Sequence, residues 1–186
     1  MDTRVTIITG PIGSGKSTAC RYIKEKGFST TDLDSISNNI LESQNSLEFL
    51  KNNFSGCIIK NKIDKKLLAE VVFTNPDKLN KLENYLHPLV SLQVATLVQQ
   101  TTDDLFIEAS APKNIHQLYP TVVIFAEEKI RRERLKSRGM SVTDIGNRIY
   151  TQPEESWWKS LGRVIENTSY MELHAQIDKL LDLSYE

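Results

Sequence analysis

The sequence predicts an α/β fold in which a five-stranded parallel sheet is flanked by helices. Three observations carry this expectation. The β-branched run Val5 to Thr9 ends in a glycine-rich turn that leads directly into a helical segment. A second strand-like run follows at Phe28 to Asp32, and strand, helix, strand in that order requires a crossover between parallel strands. Short apolar runs then return late in the chain, each followed by a helical pattern.

The elements follow in order. The first helix is expected from about Lys16 to Lys26, stopped by Gly27. After Asp32 a further helix begins, and Asp34 suits its cap. From Ile36 to Gln100 the pattern is almost entirely helical. Asn75-Pro76 is a helix start, a cap followed by proline at the first helical position. Leu79, Leu82, Leu86, Leu89, Val90, Leu97 and Val98 then recur at the three-to-four spacing of one apolar face. Pro88 is expected to kink or break that helix, since it removes a backbone donor. Strands resume at Leu105 to Ile107 and Val122 to Phe125. A charged helix runs from Glu127 to Arg138, broken by Gly139. A last strand at Arg163 to Glu166 precedes an amphipathic helix from Tyr170 to Leu183. The organisation expected is a single domain over 1–186. Its core is residues 1–35 and 103–186, with a helical lobe (36–102) inserted beside the sheet and a small lid at 139–152.

The bulk composition narrows the function. A chain of 186 residues, 39% hydrophobic and 25% charged, is an ordinary soluble globular protein. A formal net charge of −1 gives no reason to expect nucleic acid or an anionic membrane as partner. No apolar run approaches the roughly 18 residues that span a bilayer. The strand and glycine loop begin so early that a signal peptide is not expected. Cys20 and Cys57 form neither a disulfide framework nor a metal motif, and both read as small buried hydrophobes of a reduced, cytoplasmic protein.

Chemistry concentrates first at Gly10-Pro11-Ile12-Gly13-Ser14-Gly15-Lys16-Ser17-Thr18, which fits G-x-x-x-x-G-K-[ST]. Glycines let successive backbone N–H groups turn toward phosphate oxygens, and the helix N-terminus adds its positive end. The loop falls after a strand and before a helix, as a P-loop requires. A P-loop NTPase fold is therefore expected, with ATP as ligand. Lys16 is expected to reach the β- and γ-phosphates and Ser17 to ligate Mg²⁺.

Asp32-Leu33-Asp34 lies at the carboxyl end of the second strand, where ligands of open parallel sheets gather. If the segment is extended, alternation points both carboxylates one way, to accept a hydroxyl proton or hold Mg²⁺. The competing reading makes Asp34 a cap and Asp32 a solvated residue. Glu108, ending the third strand, suits a Walker-B-like carboxylate near Mg²⁺, or a plain surface glutamate. The basic cluster Arg131, Arg132, Arg134, Lys136 and Arg138 cannot aim at one point from a helix. Arg134 and Arg138, four apart beside the lid, are the pair expected to meet a transferring phosphoryl group. Lys60, Lys62, Lys65 and Lys66 read as a solvated face able to steer an anionic acceptor. His87 reads as packed or capping, His116 and His174 carry no signal, and Trp157 and Trp158 are expected to pack the return of the lid.

Beyond the loop, several motifs recur in order. Asp32-Leu33-Asp34, Ile63-Asp64-Lys65-Lys66-Leu67, Val72-Phe73, Leu82-Glu83, Leu86-His87-Pro88, Arg134-Leu135 with Arg138, Arg148-Ile149 with Gln152, and Val164-Ile165 with Asn167 resemble those of the dephospho-CoA kinase family. The resemblance spans nearly the whole chain. It implies transfer of the ATP γ-phosphate to the 3′-hydroxyl of dephospho-CoA, with Asp34 as base. It also implies Asn167 at the nucleotide, Lys65 and His87 with Asp32 and Asp34 at the acceptor, and Asp34 and Glu108 beside Ser17 at the metal. Departures cluster on the acceptor side. Glu108-Ala109-Ser110-Ala111-Pro112 replaces the family's longer Pro-Leu-Leu-Phe-Glu connection, Leu161-Gly162 its Ala-Asp, Arg131 its glutamine and Lys65 its arginine. A kinase for another small molecule or a nucleoside monophosphate, and a nucleotide-binding module without catalysis, are the rival readings.

Overall fold

The computed structural model describes residues 4–112 and 115–182. The chain forms two compact units, Met1–Asp32 with Thr101–Glu186, and Leu33–Gln100. The first unit is built on a five-stranded parallel sheet of β1 (Val5–Thr9), β2 (Ser29–Asp32), β5 (Leu105–Glu108), β6 (Thr121–Phe125) and β7 (Arg163–Glu166), in the order β2-β5-β1-β6-β7. The central strands are apolar along their length because both faces are covered. Ile8, Phe106, Val122, Ile124 and Ile165 project into one core with Ala19 and Ile23 of α1 (Lys16–Glu25) and Leu173 and Ile177 of α9 (Tyr170–Asp182). Each side chain so buried contributes about 1.5–3 kcal/mol. Residue 183, where the closing helix was expected to end, lies outside the described residues.

β1 sits at the middle of the sheet with β5 on one side and β6 on the other. Its carboxyl end is thus the point where the strand order reverses, and the glycine loop leaves from there. On the far side of the loop stand α6 (Glu128–Ser137), α7 (Val142–Tyr150) and α8 (Glu155–Ser160). Ser141 caps α7 by accepting a hydrogen bond from the Asp144 N–H at 3.1 Å.

The second unit contains α2 (Leu33–Glu42), α3 (Gln44–Asn53), α4 (Lys65–Thr74) and α5 (Pro76–Gln100). They close on Leu50, Phe54, Cys57, Leu68, Val72 and Leu82. Asp64 caps α4, accepting from the Lys66 and Leu67 N–H groups at 2.9 and 3.1 Å. Asn75 starts α5 through the Lys78 N–H at 3.1 Å, as its cap position requires.

Three expectations are corrected. The stretch from Ile36 to Gln100, expected to be almost entirely helical, also holds an antiparallel hairpin of β3 (Ile58–Ile59) and β4 (Lys62–Ile63), which the pattern did not suggest. Its two-residue turn holds Lys60 and Asn61 at positive φ, a geometry that asparagine tolerates and lysine accepts here under the constraint of the pairing. Pro88 does not break α5, which runs unbroken through it. Proline costs a helix interior about 3 kcal/mol, and the flanking buried Leu82, Val90 and Val94 offset that cost. Asp34 is neither a cap nor part of an extended segment. The strand stops at Asp32 and α2 starts at Leu33, so Asp34 is the second helical residue, where its charge complements the helix dipole. The alternation that was to align Asp32 with Asp34 is therefore absent.

Candidate active site

The loop from Gly10 to Gly15 is held by its own backbone and by side chains from three other segments. The Ser14 N–H donates to the Pro11 carbonyl at 3.2 Å. The Ile12 N–H donates to Oε1 of Gln152 at 2.9 Å. Nζ of Lys16, only 8% exposed, donates to the carbonyls of Gly10 and Pro11 at 2.8 and 3.3 Å. That places a cation within the curl of the loop. The first turn of α1 contains no acidic residue, so the positive end of the helix is not neutralised from within. Gly15 precedes it at φ +105, and a Cβ there would lie 2.2 Å from Nδ2 of Asn167. Close approach and backbone conformation both demand glycine.

Beside the loop, Oγ of Ser17 donates to Oε1 of Glu108 at 2.6 Å. Asp32 pairs in register with Glu108 at the carboxyl ends of β2 and β5. Cys20, one helical turn past Ser17, reports the same charges. Burial pushes its thiol pKa well above the ordinary 9.0, Glu108 and Asp32 push it further, and Lys16 acts in the opposite direction. One hydroxyl and two carboxylates thus converge near the lysine. They are hard oxygen donors of the kind Mg²⁺ takes. Among the described residues no cluster of three or more His, Cys, Asp or Glu side chains stands ready to hold a metal alone. A magnesium ion here would need phosphate oxygens and water to complete its shell, which is how this ion is commonly held in phosphoryl transfer.

α6 supplies the arginines. Arg131 is buried, with Nε donating to the Ala126 carbonyl at 3.0 Å and Nη1 to the Ile12 carbonyl at 3.4 Å. Arg134 donates to the Ser14 carbonyl at 3.2 Å and to the Asn167 carbonyl and Oδ1 at 3.0 and 3.2 Å. Burial lowers the pKa of both guanidiniums from the ordinary arginine value. Arg138 caps the helix end and lines a cavity of about 350 Å³ with Gly15, Thr18, Arg134, Asn167 and Tyr170. A second cavity, of about 360 Å³, lies between Pro11, Arg131, Tyr150, Gln152 and Trp158. Both expected partners on α6 line the first of these cavities, but they differ in engagement: the Arg134 guanidinium is bound to the Ser14 and Asn167 carbonyls, and Arg138 lies at the helix end.

Within the first unit the structure brings together Lys16, Ser17, Asp32, Glu108, Arg134 and Asn167. Asp34, Lys65 and His87 belong to the second unit. Lys65 pairs with Glu42 at 2.5 Å on an exposed face, and Lys60, Lys62 and Lys66 are likewise exposed. His87 lies inside α5, so it caps nothing, and its Nε2 is buried without a hydrogen-bond partner. Trp158 is buried and meets Trp157 edge-on at 5.0 Å. His174, which carried no signal, stacks on Tyr22 of α1 with ring centroids 3.5 Å apart. The carbonyl contacts of Arg131 and Arg134 were also missed, because a periodic pattern shows which face a residue occupies but not which backbone atom it meets.

A parallel sheet whose central strand empties into this loop, backed by a lysine, a Ser–Glu pair and an arginine-bearing helix, defines a P-loop kinase. Solved structures agree on the fold: a shikimate kinase from Bacteroides thetaiotaomicron superposes at TM-score 0.55 with 12% identity, over 98% of this chain and 99% of that one. The chain belongs to the dephospho-CoA kinase family, whose sequence model matches residues 4–172. It is 31% identical to the dephospho-CoA kinase of Fusobacterium nucleatum over 92% of this chain and 93% of the relative. It is 34% identical to that of Thermus thermophilus over 89% and 83%. A crystal structure of a Thermus thermophilus protein covers both chains fully at TM-score 0.90 and 29% identity. The dephospho-CoA kinase of Campylobacter jejuni superposes at 0.71 with 25% identity, over 96% and 95%.

Proposed function

We propose that this protein transfers the γ-phosphate of ATP to the 3′-hydroxyl of dephospho-CoA, giving coenzyme A and ADP. Family membership supports the substrate pair. The single structural observation that supports the chemistry is Lys16 set within the loop beside the Ser17–Glu108 pair. The loop N–H groups and the α1 terminus bind the phosphates, and the Lys16 ammonium leaves the Gly10 carbonyl to meet the β- and γ-oxygens. Ser17 and Glu108, with Asp32 or Asp34, would hold Mg²⁺, which when bound offsets the charge of the phosphate oxygens. The acceptor oxygen bonds to the γ-phosphorus as the bond from that phosphorus to the ADP oxygen breaks. Asp34 takes the hydroxyl proton or orients it, and Arg138 meets the negative charge spread over the transferring group. Lys65 and His87 serve the acceptor in this reading. No described helix is long and apolar enough to cross a membrane, and a cytoplasmic enzyme acting on a small molecule fits the chemistry.

The test is turnover of ATP by the purified protein with dephospho-CoA, AMP, UMP or shikimate, with products identified by mass. Coenzyme A formed from dephospho-CoA alone is the expected result. Phosphorylation of a nucleoside monophosphate instead would move the assignment to another kinase, and ATP binding without any transfer would leave a nucleotide-binding module.

A further inference from the structure

The N–H groups of the loop fall into two sets. Those of Ile12 and Ser14 are already used, by Gln152 and by the Pro11 carbonyl. Those of Gly13 and Gly15 find no acceptor among the described residues. The carbonyls preceding these two glycines are met from α6 and from the end of β7: Arg131 reaches that of Ile12 at 3.4 Å, and Arg134 with Asn167 holds that of Ser14, at 3.2 and 2.7 Å. In a trans peptide the C=O and the following N–H point in opposite directions. Pulling the Ile12 and Ser14 carbonyls toward α6 therefore turns the Gly13 and Gly15 N–H groups away from it, onto the other side of the loop.

We propose that Arg131, Arg134 and Asn167 form a carbonyl clamp that presets the loop as an anion-binding nest, so that Arg134 acts as a positioning residue for phosphate binding rather than as a cation on the transferring group. The clamp is built for permanence. Asn167 is 4% exposed and both polar atoms of its amide are engaged, Nδ2 with the Ser14 carbonyl and Oδ1 accepting from the Arg134 guanidinium that shares that target. Both arginines lie three residues apart on one helix and reach carbonyls two residues apart in the loop. This also gives Arg131 a purpose, at the position where the family resemblance led us to expect glutamine: a side chain that donates to the Ile12 carbonyl.

The inference rests on the loop binding nucleotide, and the test separates the two. The nest contacts the α- and β-phosphates, which ADP and ATP share, whereas a cation on the transferring group distinguishes them. Dissociation constants for ADP and ATP are measured by calorimetry for the wild type, Arg134→Lys, Arg134→Met, Asn167→Ala and Arg131→Gln. The clamp predicts that Arg134→Met and Asn167→Ala weaken ADP and ATP by the same factor, about tenfold or more for a lost charge-assisted or buried hydrogen bond. Arg134→Lys, which keeps a donor, should recover part of the Arg134→Met loss, and Arg131→Gln, which also keeps a donor, should weaken both nucleotides less than Arg134→Met does. Unchanged ADP affinity in Arg134→Met, with only the rate of transfer reduced, overturns the clamp and restores Arg134 to the transferring group. Should the truncated variants unfold, the wild type decides alone: on adding ADP the Gly13 and Gly15 amide protons should move strongly downfield while those of Ile12 and Ser14 stay nearly fixed, and the reverse pattern refutes the clamp. Wild-type protein that fails to bind ADP overturns the nucleotide reading and the clamp with it.

Discussion

Gly15→Ala tests how tightly the loop is determined. Two penalties meet at this position. The backbone sits at φ +105, where an L side chain costs roughly 1–2 kcal/mol. The new Cβ would also stand 2.2 Å from Nδ2 of Asn167, far inside contact distance. Asn167 cannot simply swing away, because that nitrogen holds the Ser14 carbonyl at 2.7 Å in a buried setting. Displacing it leaves buried polar atoms unpaired, at a cost of about 1–3 kcal/mol. The sum is about 2–5 kcal/mol, shared between lost stability and a distorted loop. Gly27→Ala is the matched control: it has φ +97 but nothing within 4 Å of its Cβ, so it isolates the conformational penalty. In thermal unfolding Gly27→Ala should fall by a few degrees, at about 2–4 °C per kcal/mol for a chain of this length. Gly15→Ala should lose clearly more in melting temperature, in ADP affinity, or in both. If the two variants melt alike and Gly15→Ala binds ADP as the wild type does, the contact between Gly15 and Asn167 has no energetic weight, and the account of the loop fails.

Three further outcomes follow from the structure. Asp34→Asn keeps shape and first-turn placement but loses the charge, so ATP binding should persist while transfer falls by roughly 10²-fold or more; steady-state rates at saturating ATP check this, and a full-rate variant would shift the role to Asp32 or Glu108. Burial, with Glu108 and Asp32, raises the Cys20 pKa, and burial raises that of Cys57, so neither thiol should react with a disulfide reagent at pH 8 until the chain unfolds. Because the folded thiols keep their protons longer than the unfolded ones, their stabilising effect is complete below pH 9 and is lost as the pH rises beyond it, which denaturant titrations from pH 7 to 10 would show.

Much of the first unit was legible from sequence because its signals are local. A β-branched run is buried wherever it lies in the middle of a parallel sheet. The string from Gly10 to Thr18 specifies a phosphate loop by its glycines and lysine alone. Strand boundaries at Arg163 to Glu166 and the start of α5 at Asn75-Pro76 followed from patterning and cap chemistry. The family itself was readable from the order of short motifs. Other features depend on partners distant in sequence. Arg134 and the carbonyl it meets are 120 positions apart in the chain, and no periodicity encodes that pairing. Pro88 stays helical because burial of its neighbours outweighs a lost donor, a balance of packing that local propensity cannot weigh. The end of β2 at Asp32 rather than two residues later decided that Asp32 and Asp34 do not share a strand face. Sequence thus determined the elements, the phosphate loop and the family, since each is written in neighbouring residues. Tertiary structure alone decided which side chains grip the loop and by which atoms, because those choices belong to contacts between segments far apart in the chain.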